Sequence, residues 1–249
     1  MAFGSDRKYM TPAQAEAAQI DVGLRQYMLR VYNYMAAGLA LTGVVAFLVA
    51  QSTSLFGLFF SQVGRGMPSP TILGWAVLLA PVGLAFFMGA RLSSMRASTA
   101  QNVFWAYAVL FGITMSMYLQ VYTGASIART FFVTAASFAG LSLYGYTTKR
   151  DLSAFGSFLV MGLIGLMIAS IVNIFLASSM LHFVISVAGV LIFAGLTAWD
   201  TQKIKEMYWE ADDSEVAAKK AVMGALTLYL DFINLFMFLL QFLGVRRDD

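Results

Sequence analysis

Long apolar runs recur along the chain at 29–51, 72–92, 103–123, 127–147, 155–177, 182–205 and 222–244, separated by shorter polar stretches. At about 1.5 Å rise per residue, runs of this length cross a hydrocarbon core about 30 Å thick, so the pattern predicts seven membrane-spanning helices. Residues 1–26 are polar and mixed in charge, without the apolar core and small-residue cleavage site of a signal peptide. They read as a cytoplasmic N-terminal tail ahead of a single seven-helix domain at 27–249. The first connection, 52–71, holds Gly64, Gly66, Pro68 and Pro70 and reads as loop; the other connections are short except 206–221.

Polar residues that break the apolar runs carry more information than the runs themselves. Of thirteen Asp and Glu, only Asp200 and Asp231 fall inside spans, on the last two helices. An ionised Asp near mid-membrane costs on the order of 2.5–3.5 kcal/mol, so each acid is expected to face protein or water inside a bundle. At 100° per residue Gly224, Thr227, Asp231, Asn234 and Gln241 share one stripe of the last span, and Ser186, Gly189, Thr197 and Asp200 share a face of the sixth. Small and polar stripes let two helices pack closely. Counted from the ends of their spans, the acids lie about 10 and 14 Å deep, so the carboxyls can oppose each other. Two carboxylates that close cannot easily both ionise; they would share a proton and titrate as a coupled pair, which is a pH sensor. The alternative for each acid is a packing role, bonded to a Tyr, Thr or backbone group.

Composition and charge narrow the class. The chain is 59% hydrophobic and 12% charged, far from a soluble average. No cysteine and a single histidine exclude disulfides, thiol catalysis and multi-histidine zinc sites, and no cofactor is expected. With the N-terminus cytoplasmic, twelve of the sixteen Lys and Arg fall inside and four outside (Arg65, Arg129, Arg246, Arg247), which puts the C-terminus outside. The basic residues sit in connections, so the net charge of +3 does not point to nucleic acid. Arg91 closes the second span at a depth from which it can reach Asp200, or it snorkels to the interface. The acids of 206–221 can concentrate cations or simply solvate a linker; they lack the spacing and central Gly of an EF-hand. His182 reads as interfacial, Asn173 as a packing polar group, and Ala36/Ala40 and Ala136/Gly140 as small-residue packing pairs.

Four segments carry a resemblance. TKRDLSAFGSFL at 148–159, NIF at 173–175, GLTAWDTQKIK at 195–205 and LTLYLDFINLFMFLLQFLG at 226–244 resemble the Bax inhibitor-1 family, the transmembrane Bax inhibitor motif proteins, in a bacterial form. The resemblance implies a fold in which six helices surround a central seventh, and a pH-sensitive calcium leak. It implies that the family's paired aspartates fall on Asp200 and Asp231 and its gating arginine on Arg91, with Trp199 standing where relatives often have Tyr. Asp200 and Asp231 would then be pH sensor, ion pathway and transient calcium ligands, supported by Thr197, Thr227 and Asn234.

The expected function is therefore a pH-sensitive calcium leak channel of the bacterial inner membrane, not an enzyme, with calcium and protons as the ions handled. Oxygen ligands suit such a hard cation. A second reading is a non-conducting regulator of membrane quality control or stress tolerance that acts through a membrane protease or another membrane protein. A third is an intramembrane aspartic protease, whose acids would share a proton to activate water; against it, Thr227, Leu228, Tyr229 and Leu230 precede Asp231, where such proteases resemble one another in Gly-x-Gly-Asp.

Overall fold

The computed structural model describes the backbone of residues 12–61, 68–91 and 94–247, with side chains described from Val22 onward within those ranges. The seven spans appear as α1 (Pro12–Gln51), α3 (Ile72–Arg91), α4 (Ala97–Val121), α5 (Gly124–Thr147), α6 (Ser153–Leu176), α7 (Ser179–Glu206) and α8 (Ser214–Leu243). The polar punctuation between apolar runs supplies the caps. Thr123, Ser178 and Asp213 each accept a backbone N–H from the first turn of α5, α7 and α8, satisfying a donor that a helix start leaves open. In the turn before α6 the Ser153 side chain, together with the Ser153 N–H that Asp151 accepts, holds the Asp151 carboxyl below the usual carboxylate range. That contribution is present above the unfolded-chain pKa and is lost as pH falls through the lower folded one.

Two expectations, on the connections 52–71 and 206–221, need correction. The connection 52–71 is not plain loop: Ser52 caps a short helix, α2 (Thr53–Phe59), and β1 (Phe60–Ser61) pairs antiparallel with β2 (Ser69–Pro70). Gly64 and Gly66 lie outside the described residues. The tail of 1–26 is helical from Pro12 and runs into the first span without a break, while residues 1–11 lie outside the description. The linker 206–221 shrinks to seven residues, because α8 begins at Ser214 and not at Val222. In the linker Asp212 pairs with Lys220, and Tyr208 packs on Tyr27 of α1.

The core forms around α8, the most buried of the seven spans. α8 packs mainly on α1, α4, α5 and α7, whereas α3 leans chiefly on α4 and α6 chiefly on α7. The reason is visible in residue type. Tyr229, at the centre of α8, is fully buried, bonds Thr42 of α1 at 2.7 Å, and meets Phe104, Tyr107 and Phe111 of α4 edge-on. Bulky aromatics fill that side. On the other sides small residues let backbones approach: Gly145 of α5 lies against the Ala198 carbonyl of α7, and Gly156 of α6 lies beneath the Trp199 ring. The pairs Ala36/Ala40 and Ala136/Gly140 do not do this work. All four are exposed, and the close approach on α1 is at Gly38, against Phe104.

The two ends of the bundle are tied separately. Tyr122, between α4 and α5, bridges Arg246 after α8, and Ser126 receives the Val245 N–H. At the opposite end Gln202 of α7 bonds the 148–152 turn through both its amide oxygen and nitrogen. The C-terminal residues thus share an end with the α4–α5 turn.

Candidate functional site

Helices α7 and α8 run antiparallel in a register set by small residues. Gly224 faces Ile204, Gly189 faces Phe238, and Ser186 bonds Gln241 at 3.5 Å. Between these contacts the register brings Asp200 and Asp231 onto one wall, close enough for their carboxyls to act on each other. Both are buried, and Asp231 keeps one carboxyl oxygen, Oδ2, without a partner. An ionised carboxylate only accepts hydrogen bonds, so two adjoining carboxyls can bond each other only when one carries a proton.

The pair borders a cavity of about 590 Å³ between α6 and α8, with α7 at its back. Trp199 and Asp200 line it from α7, Thr227, Asp231 and Asn234 from α8, and Leu163, Leu166 and Met167 from α6. The cavity exists because α6 rests on α7 and leaves the adjoining face of α8 open. Thr227 and Asn234, expected as supporting polar groups, are at this wall; each returns a hydrogen bond to its own helix, to Met223 O and Leu230 O. Thr197 is not at the wall. It is fully buried and donates to Phe193 O, so it serves its helix and not the acids.

Arg91 is not gathered into this site. It ends α3 in an exposed position, and among the described residues it makes no ion pair with Asp200. The cause is packing: α3 leans on α4, not on α7, so a matching depth along the membrane does not become a contact. The cation acting on Asp200 is instead Lys203, one turn along the same helix, which lies 4.9 Å over the Trp199 ring. In the sequence Trp199 stands out only as a departure from its relatives, and Lys203 reads as one more basic residue at a span end. The signal was available, since Lys203 follows Asp200 at i+3 on one helix face.

Other expected residues settle elsewhere. Asn173 is not a packing group between helices: its side chain accepts from the Ser178 N–H and its carbonyl from Ala177, which adopts the left-handed conformation that ends α6. His182 is exposed at the start of α7. Among the described residues no three His, Cys, Asp or Glu gather as a metal cluster.

These features define an all-α membrane protein of seven spans with an acid pair buried at a cavity between its helices. Residues 24–248 match the family described as inhibitor of apoptosis-promoting Bax1, and the chain belongs to this Bax inhibitor-1 family. It is 53% identical to an uncharacterized protein of Rickettsia prowazekii over 92% of this chain and 93% of that one. It is 45% identical to an uncharacterized protein of Caulobacter vibrioides, over 95% of each chain. With the inner membrane protein YbhL of Escherichia coli it shares 43% identity over 95% of this chain and 98% of YbhL.

Proposed function

We propose that the protein is a proton-gated leak for a hard cation, calcium first, and that Asp200 and Asp231 are its sensor. The observation that carries this reading is the placing of both buried acids on one wall of a cavity between the membrane helices. One proton holds the pair together; its loss sets two negative charges against each other across the α7–α8 interface, which is the element able to respond. Two carboxylates fall short of the six to eight oxygens calcium takes at rest, so the pair serves as a transit contact and not a storage site. The test is calcium entry into liposomes holding only the purified protein, followed from about pH 5 to 8, where a shared proton between such carboxyls exchanges. A leak needs no partner. Liposomes that stay calcium-tight at every pH would leave the non-conducting regulator as the reading.

The neighbouring cation is part of the same proposal. Lys203→Gln is expected to move the pH at which flux is half-maximal, because a charge one turn from Asp200 acts on the pair directly. The family resemblance assigns the gate to Arg91, so Arg91→Ala should raise basal flux. An unmoved midpoint in the first variant takes Lys203 out of the sensor, and an unraised leak in the second takes Arg91 out of the gate.

We further propose that the N-terminus faces the cytoplasm of a bacterial inner membrane and the C-terminus faces out. Support comes from the twelve-to-four distribution of Lys and Arg and from the C-terminal residues sharing an end with the α4–α5 turn. The chain has no cysteine, so single introduced thiols report cleanly. Ala211→Cys is expected to resist an impermeant thiol reagent in intact cells and Val245→Cys to react; the reverse pattern inverts the topology.

A further inference from the structure

A second groove, which neither acid lines, opens between α1 and α5, which do not pack closely on each other. Its volume is about 600 Å³. Phe138 and Phe232 form its floor, and Met28, Met35 and Ala139 its sides. From Arg25 to Met35 it follows about 15 Å of α1, which is half of a hydrocarbon core about 30 Å thick. The polar side chains midway along it are already engaged: Tyr32 bonds Ser142 at 2.6 Å, and Ser142 bonds Thr201 at 2.9 Å. The groove therefore offers water few partners along its length. Charge appears at one end only. Arg25 lines that end, exposed and without an ion pair among the described residues. Lys205 reaches the same end, donating to Tyr146 O beside the groove.

We infer that this groove holds one acyl chain of an anionic phospholipid, drawn from the leaflet at the Arg25 end, with the lipid phosphate at the Arg25 guanidinium. The length matches one leaflet, the lining suits a hydrocarbon chain, and the positive end matches a phosphate that carries no compensating ammonium. Arg is the side chain suited to this, since its fork meets two phosphate oxygens at once. The acid pair plays no part in the assignment, and the site stands or falls apart from the leak.

The full-length protein in detergent would be titrated with dioleoylphosphatidylglycerol and, separately, with dioleoylphosphatidylcholine, and the bound lipids counted by native mass spectrometry. One retained lipid per chain is expected, with phosphatidylglycerol preferred. Arg25→Gln should reduce that preference about fivefold, the effect of one basic residue at an anionic headgroup. Ala139→Phe fills the groove from an exposed position and should abolish the retained lipid while leaving the melting temperature in place. Equal retention of both lipids, or a preference unchanged in Arg25→Gln, overturns the headgroup assignment. Retention unchanged in Ala139→Phe overturns the groove.

Discussion

Asp200→Asn and Asp231→Asn are each expected to flatten the pH dependence of calcium flux in proteoliposomes, and the double substitution is expected to be little worse than either single one. The amide keeps the shape of the carboxyl and supplies a permanent donor, so the contact between α7 and α8 survives while the exchangeable proton is lost. A lone remaining carboxyl then titrates without the partner that coupled it. Residues that act as one unit are strongly non-additive, which is why the double variant adds little. The geometry makes the two sites unequal in one respect. Asp231 has a fully buried oxygen without a partner, which Asp200 does not, and in Asp231→Asn the amide oxygen can take that same place while the NH2 turns to Asp200. A buried unsatisfied polar group costs about 1–3 kcal/mol, but this one is present before and after the change, so Asp231→Asn should lower the melting temperature no more than Asp200→Asn. If each single variant kept the full pH profile, the shared proton would be discarded as the sensor and both acids would revert to packing groups.

Much of this arrangement is readable from residue types. Seven spans follow from apolar runs, and their starts follow from Thr123, Ser178 and Asp213, because a helix entering from a polar turn needs a side-chain acceptor there. The acid pair is legible for a related reason: few residues are as costly in a span as Asp, so two at matching depth stand out. What periodicity cannot supply is the partner of each face. It gives the stripe on α8 but not that α6 stays off α8 and leaves a cavity there. It gives the depth of Arg91 but not its distance across the bundle, and so it missed Lys203 on the helix of Asp200 itself. Small-residue spacing misled in the same way, since Ala36 and Ala40 are exposed, whereas Gly38 meets Phe104.

Gly145→Ala is expected to lower stability by about 1–3 kcal/mol, whereas Gly140→Ala, five residues earlier on the same helix, should be close to neutral. Both add one methyl group to α5, so their difference isolates the packing of α5 on α7. At Gly140 an added Cβ meets nothing within 4 Å. At Gly145 it falls inside contact distance of the Ala198 carbonyl oxygen, with the Ala198 carbonyl carbon 2.9 Å away. Those atoms are helix backbone and cannot turn aside as a side-chain tip would, so α5 and α7 must separate. Separation also stretches the 2.9 Å bond between Ser142 and Thr201, the next polar contact along the same interface. Ala198 is two residues from Asp200, and a shift of α7 there moves one carboxyl of the pair against the other. Gly145→Ala should thus change the pH profile of flux as well as the melting temperature in detergent, while Gly140→Ala changes neither. Equal melting temperatures for the two variants would mean that α5 and α7 are free to part, and that their close packing does not hold the acid pair in place.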